Sequence, residues 1–428
     1  MIYGQLARFL LPLMFIQVFQ EFSGQFLNGG MARVPMATQT LAAYGLAWGL
    51  AGFLSSTLSQ MRQVGLVLAE NHRARQKIQF FVLVGGSIFG GLLLVLALTP
   101  LGVWVVDDLH GVEADLGIVV RDALLCLFPV PILEGLIRFY SGLLLRVRRT
   151  EVLSYATASS ILTSIAGVFF LLPTTFVEAR PILLPILVTY IGILVNLGII
   201  IWGYRRYVGS QMEEGPEDSL RLPYIFGFFW PLALVMAIQG LSRPLINLFV
   251  ARGPNGAESI AVLAVVYSLA HMAYGWLNDT RSLPPAFADI ANSSQAIRRF
   301  IGGCALLSFF SMVLLFWTPF REVILTAWIG LEGELVVQCR WPLFIFSFFP
   351  LVVAIRSYYH GVALIEHRTR VLAPSGPSRI GIIFLALLVL PRVGLEGATL
   401  GIASLLCGFV LETVVVWLGV RCGKSQRQ

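Results

Sequence analysis

The chain has 428 residues, of which 57% are hydrophobic and only 12% are charged. Soluble domains carry about 25% charged residues, so this composition excludes a soluble globular protein and predicts an all-α polytopic membrane protein. The formal net charge of +7 is explained by basic loops beside a bilayer and requires no nucleic-acid partner.

We predict twelve membrane helices of about 20 residues each, the length that crosses the hydrocarbon core of a bilayer. In the first half they begin near residues 8, 38, 77, 118, 151 and 181, and in the second half near residues 222, 257, 297, 335, 371 and 394. The count predicts two six-helix lobes, residues 1–208 and 221–428, joined by an acidic cytoplasmic linker at residues 209–220.

Basic residues alternate with the predicted helices. Arginine or lysine follows the second, fourth, sixth, eighth and tenth helices, whereas the opposite loops carry mainly aspartate and glutamate. By the positive-inside rule we expect a multi-pass protein of the cell (plasma or inner) membrane with both termini in the cytoplasm. The five cysteines lack metal-site spacing, so we expect neither a metal nor another cofactor.

The second half of the chain repeats the first at a constant shift in residue number. Matched pairs include Pro12 and Pro231, Gln20 and Gln239, Asn28 and Asn247, and Arg62 and Arg281. Six crossings are an even number, so both halves enter the membrane from the same side and the repeat is parallel. A duplicated apolar chain is typical of a two-lobed transporter with its site between the lobes.

Polar side chains form stripes on otherwise apolar predicted helices. Polar groups that face lipid are unfavourable by on the order of several kcal/mol, so these stripes are expected to face protein or water. The candidate substrate-binding residues, on the stripes and at their cytoplasmic ends, are Gln20, Glu21, Asn28, Arg62, Gln239, Arg243, Asn247, His271, Tyr274 and Arg281.

Glu21 and Arg243 distinguish the two repeats. Glu21 aligns with Gly240 and Arg243 aligns with Gly24, so each repeat carries one charge where the other has glycine. The two charges are candidates for a salt bridge between lobes, for substrate contacts, or for coupling to H⁺ or Na⁺. His271 is a candidate proton carrier or a structurally hydrogen-bonded histidine.

The embedded cations are all arginine, which keeps its charge and binds carboxylate or phosphate bidentately, so we expect an anion as substrate. Arg62 and Arg281 are candidates for a basic cytoplasmic vestibule or for snorkelling to the interface. Arg379 and Glu412 are expected to be isolated and without a role. The sequence has no phosphate loop and no HExxH motif, so we do not expect an enzyme.

Several segments resemble the progressive ankylosis (ANK/ANKH) protein family. They include LAAYGLAWGL at residues 41–50, WPLAL at 230–234, YGWL at 274–277 and IFSFFP at 345–350, and the resemblance covers Arg8 to about Glu412. It implies a fold like that of the MATE and MOP (multidrug/oligosaccharidyl-lipid/polysaccharide) transporters. It also implies movement of inorganic pyrophosphate, nucleotides such as ATP, or citrate out of cells.

Two departures from the animal members bear on the substrate. Gly24 stands where they carry a second acidic residue, and the chain ends at Gln428 without their long acidic tail, so we expect a bacterial relative. Our expectation is a secondary-active, alternating-access carrier that exports or exchanges a polyanion. The alternatives are a flippase for a lipid-linked anionic headgroup and a non-transporting membrane regulator of another transporter. The oligomeric state is left open.

Overall fold

The computed structural model describes residues 2–110, 112–209, 212–215, 220–253, 255–290, 293–331 and 333–425, without the side chains of residues 21–25, 257 and 423–425. The described residues form helices and turns, as predicted. Among the described residues, eleven helical segments are long and apolar enough to cross a membrane, and there are twelve if the pair Ala114–Leu127 and Val130–Arg146, bent by 43°, is counted as one span. The predicted all-α membrane fold is therefore confirmed.

The chain divides into two compact units. The first, here the N-terminal unit, comprises residues 18–229. The second, here the C-terminal unit, comprises residues 1–17 and 230–428. The linker predicted at residues 209–220 falls partly outside the described residues, so the lobe boundaries beside it stay a prediction.

The first seventeen residues pack with the C-terminal unit. They lie within the predicted N-terminal lobe, residues 1–208. Leu10 belongs to the apolar core of the C-terminal unit. The ring of Phe9 meets that of Phe287 edge-on, with centroids 5.5 Å apart. These contacts bury apolar side chains that a membrane helix would otherwise present to lipid.

Helices of the N-terminal unit follow long apolar runs, because a spanning segment must satisfy its backbone hydrogen bonds internally. Helix α1, Ile2–Met31, contributes its second part, and α2 to α10 are Ala37–Ser56, Met61–Leu68, His72–Leu98, Pro100–Val103, Ala114–Leu127, Val130–Arg146, Thr150–Leu171, Thr175–Ala179 and Leu183–Tyr207. A small core among the described residues contains Val34, Val168, Val177, Leu184 and Val188.

Local sequence fixes where two of these helices begin. The side chain of Asn71 caps α4, since its Oδ1 accepts a hydrogen bond from the backbone N–H of Ala74 at 2.8 Å. Pro100 occupies the first turn of α5, where its missing N–H has no intrahelical partner to lose. The residue types at the N-terminal ends of α4 and α5 are thus ones that favour the start of a helix.

The C-terminal unit has the same construction. It contains the first part of α1 and the second part of α11, Leu222–Gly240. Its other helices, α12 to α21, are Ser242–Ala251, Gly256–Tyr274, Leu283–Ala286, Ser293–Trp317, Phe320–Val323, Glu334–Gln338, Arg340–Phe346, Phe349–Ile365, Ser375–Val389 and Gly397–Ser425. A large apolar core draws side chains from most of them, with Phe346 and Phe349 fully buried near its centre.

The sequence repeat recurs in the backbone. Met36 and Asn255, which are equivalent in the repeat, precede α2 and α13 and have left-handed φ values of 53° and 51°. Arg148 and His367, a second equivalent pair, have φ values of 59° and 54°. Positive φ is uncommon outside glycine, so its recurrence shows that the repeats share local conformation as well as residue types.

Irregular turns recur as well. A π-helical turn at Trp104–Leu109 has its counterpart at Ile324–Trp328. A 3₁₀ segment at Thr57–Gln60 has its counterpart at Gly275–Ser282. Such turns inside helices often mark hinges or functional sites. Here the two 3₁₀ segments interrupt the corresponding spans Ala37–Leu68 and Glu258–Ala286, whereas the two π-helical turns lie between spans.

Two equivalent glycines allow helices to touch at backbone distance. A Cβ atom on Gly142 would collide with the carbonyl oxygen of Arg62. A Cβ atom on Gly361, its equivalent in the repeat, would lie 2.7 Å from the carbonyl oxygen of Arg281. In each unit, the backbone of the predicted vestibule arginine therefore packs directly against the equivalent glycine.

Candidate functional site

A buried ion-pair cluster joins three helices of the C-terminal unit. Glu412, near the middle of α21, is 0% exposed. Its Oε2 accepts hydrogen bonds from Arg356 of α19 at 3.0 Å and from Arg379 of α20 at 3.1 Å. Buried charges are unfavourable unless they are paired and hydrogen-bonded. Here two guanidinium groups share one carboxylate oxygen.

The expectation that Arg379 and Glu412 are isolated was wrong. Arg356, Arg379 and Glu412 are far apart in sequence, so no local spacing reveals that they meet. The sequence did contain one indication that they pair. A charge inside a membrane span is unfavourable unless it has a partner, and three predicted spans of the second lobe each carry one of these charges.

Two amides complete the cluster. The Nε2 of Gln239, on α11, donates to Oε1 of Glu412 at 2.5 Å. The Oδ1 of Asn278, in the 3₁₀ segment Gly275–Ser282, accepts from Arg356 at 2.5 Å. Gln239 is a predicted site residue, and it contacts the buried acid directly. Asn278 was not among the predicted site residues, although it lies on the stripe of His271 and Tyr274.

Aromatic rings surround the guanidinium groups. The guanidinium carbon of Arg379 lies 4.0 Å from the centroid of the Phe409 ring, and that of Arg356 lies 4.9 Å from it. Tyr274 is buried, and the charges of Arg243, Arg356 and Arg379 all act on its hydroxyl. Cation–π contacts strengthen when they are shielded from water. The charges of three arginines thus act on the buried Tyr274 hydroxyl.

Arg243 lies at the exposed side of this group. Its guanidinium carbon is 4.6 Å from the centroid of the Tyr267 ring, and the residue is exposed. The described side chains provide no salt bridge to Arg243. With Arg356 and Arg379 it gives the described cluster three positive charges against the single carboxylate of Glu412.

Two predicted site residues lie close to these arginines or their ring partners. The His271 ring meets the Tyr274 ring edge-on with centroids 5.8 Å apart, and its Nδ1 is 3.4 Å from Nε2 of Gln17. Asn247, on the same helix as Arg243, has a buried Oδ1, and the hydroxyl of Tyr267 is also buried. Neither atom has a hydrogen-bond partner among the described residues. Buried polar atoms of this kind commonly bind water or a ligand.

Arg281 follows on the 3₁₀ segment Gly275–Ser282 and is partly buried. Its backbone is held against Gly361. His360, one helical turn after Arg356, is 7% exposed and lies within the electrostatic influence of Arg356, Glu412 and Arg281. His360 was not among the predicted site residues.

The remaining predicted residues belong to the N-terminal unit. Gln20 and Asn28 are exposed on α1, and Arg62 is partly buried on α3. Glu21 also lies on α1, but its side chain is outside the described part of the structure. Its predicted pairing with Arg243 therefore stays a prediction. Substrate binding by these residues stays a prediction.

Comparison with known proteins agrees with this architecture. A family model described as progressive ankylosis protein (ANKH) matches residues 1–318. A mutant of the Vibrio cholerae MATE transporter VcmN has a similar structure, with a TM-score of 0.74, 14% identity, and coverage of 99% of this chain and 97% of that one.

Two further solved structures are similar over nearly the whole chain. The eukaryotic MATE transporter AtDTX14 gives a TM-score of 0.69 at 14% identity, with coverage of 99% of this chain and 98% of that one. A MOP superfamily transporter from Pyrococcus furiosus gives 0.67 at 12% identity, with coverage of 99% and 95%. At these identities the likeness establishes the fold, as the resemblance implied.

Proposed function

Because the chain belongs to the progressive ankylosis protein (ANKH) family, we propose that it is a secondary-active membrane transporter of a polyanion. Alternating access between the two six-helix lobes would export or exchange the substrate. Inorganic pyrophosphate, a nucleotide such as ATP, and citrate are the candidates. The observation that carries the proposal is an excess of arginine over carboxylate: Arg356 and Arg379 share the carboxylate of Glu412, and Arg243 lies exposed over the Tyr267 ring.

Glu412 illustrates the chemistry that such a site offers. Its carboxylate is held by two guanidinium groups and an amide, which are the groups that bind the carboxylates of citrate or the phosphates of pyrophosphate. Charge-assisted hydrogen bonds of this kind are about twice as strong as neutral ones. A site built from these groups favours multiply charged anions and disfavours cations.

Arg243 is the arginine best suited to meet a substrate first. It is exposed, whereas Arg356 and Arg379 are buried against Glu412. The buried hydroxyl of Tyr267, which has no hydrogen-bond partner among the described residues, can donate to an anion beside Arg243. We assign to Arg243 the role of the principal anion contact. Gln239 and Tyr274 then connect that contact to the buried cluster.

For coupling, we propose that Glu21 or His271 responds to an H⁺ or Na⁺ gradient. Glu21 is an acid within a membrane helix, a position that commonly serves ion coupling. His271 lies beside Tyr274 and Gln17, so a change in its protonation would act on the cluster through those neighbours.

The positive-inside rule supports a cell-membrane protein with both termini in the cytoplasm. Basic residues lie in the last turn of α7, at Arg146, and of α10, at Arg205 and Arg206. These helix ends belong to the face that the sequence analysis assigns to the cytoplasm. Cysteine labelling of the two faces in intact cells tests this orientation independently of transport.

Uptake by proteoliposomes tests the function. The purified protein is reconstituted, and labelled citrate, pyrophosphate and ATP are offered in parallel under H⁺ and Na⁺ gradients, with empty liposomes and a labelled lipophilic cation as controls. We expect saturable uptake of at least one anion and none of the cation. If no anion is taken up under any gradient, the proposal fails, and a lipid-scrambling assay then distinguishes the flippase from the regulatory alternative.

A further inference from the structure

A groove of about 710 Å³ lies between α15, α19 and α21 of the C-terminal unit. Its walls are apolar over most of their length. Leu306 of α15 and Ile355 of α19 are each 50% exposed there, and Val414 of α21 is 41% exposed. The groove is separate from the arginine cluster, because none of the arginines of that cluster lines it.

One end of the groove differs from the rest. Arg298 lines it from the second turn of α15, and Tyr358 lines it from the second half of α19. The Oγ of Ser294 and the hydroxyl of Tyr358 lie 3.4 Å apart, so the start of α15 contacts α19 there. Trp417 lines the same end from α21, and the guanidinium carbon of Arg421 lies 4.7 Å from its ring centroid.

The groove therefore has a basic, aromatic end and an apolar body. The positive-inside rule assigns the basic end to the cytoplasmic face, where tryptophan and tyrosine commonly lie at headgroup level. Basic pockets between membrane helices on that face bind lipid phosphates. This arrangement matches an amphipathic anion with a long apolar chain.

We propose that the groove binds one anionic glycerophospholipid. An acyl chain lies along Leu306, Ile355 and Val414, and the phosphate meets Arg298, with Arg421 beside it. This site is independent of the proposed transport function. It assigns to the C-terminal unit a resident lipid that bridges α15, α19 and α21.

The repeat provides an internal contrast. A Cβ atom on Gly302, which lines the groove, would meet no other atom within 4 Å, so this part of the groove is open. The repeat equivalent of Gly302 is Leu83, and that of Arg298 is Gln79. In the N-terminal unit the open position therefore carries a large side chain, and the cation is replaced by a neutral amide.

Native mass spectrometry tests the proposal. The protein in neutral detergent is titrated with phosphatidylglycerol or phosphatidylcholine, and retained lipid and the thermal unfolding temperature are measured. We expect one retained phosphatidylglycerol per chain, at least fivefold more retention than for phosphatidylcholine, and a rise in unfolding temperature with phosphatidylglycerol only. Equal retention of the two lipids by the wild type would overturn the proposal.

Three variants locate the site. Arg298→Gln is expected to abolish the preference for phosphatidylglycerol, and Gly302→Leu to reduce retention of either lipid at least fivefold. Gly302→Leu projects into open space and replaces glycine with a better helix former, so it should fold. Arg299→Gln, one residue along but not lining the groove, is the matched control and should bind like the wild type.

Retention unchanged in both Arg298→Gln and Gly302→Leu would place the lipid elsewhere and overturn the assignment. Glycerol 3-phosphate, which has the phosphate but no acyl chain, distinguishes a lipid site from a site for a free phosphate. We expect it to give no rise in unfolding temperature. Protection equal to that by phosphatidylglycerol would contradict the lipid proposal.

Discussion

The two units repeat one backbone but bury different groups. Arg356 and Arg379 are equivalent in the repeat to Ile137 and Ser160. Glu412 is equivalent to Asn196, because Gly419 packs against Val371 as Gly203 packs against Val152. Ile137 is buried, and the Oγ of Ser160 donates to the carbonyl oxygen of Gly192 at 2.9 Å. The N-terminal unit thus has uncharged side chains at the positions that carry the ion pairs in the C-terminal unit.

This contrast indicates why the charges are present. Buried ion pairs are often no more stabilising than apolar residues of similar volume, and the N-terminal unit shows that this fold is compatible with uncharged residues there. Glu412 and its two arginines are therefore unnecessary for building a six-helix lobe of this type. Their presence in one lobe favours a functional role, and their net positive charge favours an anion as the ligand.

Removing the buried acid should have the largest effect. Glu412→Gln keeps the shape but leaves Arg356 and Arg379 without a charge partner, so we expect a loss of about 3–5 kcal/mol in unfolding free energy. Ile137→Val, at the position equivalent to Arg356, should lose only about 1 kcal/mol. Chemical denaturation in a mild detergent measures both. Equal stability of Glu412→Gln and the wild type would remove the ion pairs from any structural role.

Charge reversal at the exposed arginine should stop transport. Arg243→Glu places a negative charge where the substrate anion is proposed to bind, so we expect uptake to fall about 10- to 100-fold with an unchanged unfolding temperature. Arg252→Glu, at the exposed end of the same helix, is the control and should transport normally. Transport by Arg243→Glu at the normal rate would show that the central-site assignment is wrong.

The paired glycines test how closely the units correspond. Gly142→Ala and Gly361→Ala force a methyl group toward the carbonyl oxygens of Arg62 and Arg281, so each should destabilise the protein by about 1–3 kcal/mol. The tighter contact predicts a larger loss for Gly142→Ala. Gly45→Ala, with open space around its Cβ, should be neutral or slightly stabilising. Thermal unfolding ranks the three variants.

Neutralising Glu21 should have the smallest and most selective effect. If Glu21 couples protons, Glu21→Gln should lose uptake driven by a pH gradient while keeping exchange of internal for external substrate. Its repeat mate is Gly240, so no equivalent acid replaces it. Uptake measured across a pH series is the readout, and an unchanged pH profile would exclude Glu21 from coupling.

Much of the fold was accessible from the sequence because bilayer crossing requires long apolar helices. Predicted starts near residues 38, 151 and 222 lie within one residue of Ala37, Thr150 and Leu222. The repeat was detectable because its shift is constant over all but the last pair of helices. The packing of residues 1–17 with the C-terminal unit was not, because it depends on contacts such as that of Phe9 with Phe287.

The candidate site was only partly accessible. The stripe on α11 identified Gln239, and the stripe of α13 identified His271 and Tyr274, because helical periodicity places such residues on one face. The pairing of Arg356 and Arg379 with Glu412 depends on how three helices pack, which no periodicity encodes. Only the unfavourable energy of unpaired charges in a membrane could have suggested it.

The most direct test of the central claim is the binding of the anion itself. Isothermal titration of pyrophosphate, citrate and ATP into the purified protein compares the wild type with Arg243→Gln and with Arg138→Gln, an arginine of the N-terminal unit that pairs with Glu134 at 3.5 Å. We predict binding of at least one anion, with a dissociation constant raised about tenfold or more by Arg243→Gln and unchanged by Arg138→Gln. Binding that is insensitive to Arg243→Gln, or no binding of any of the three anions, would contradict the account.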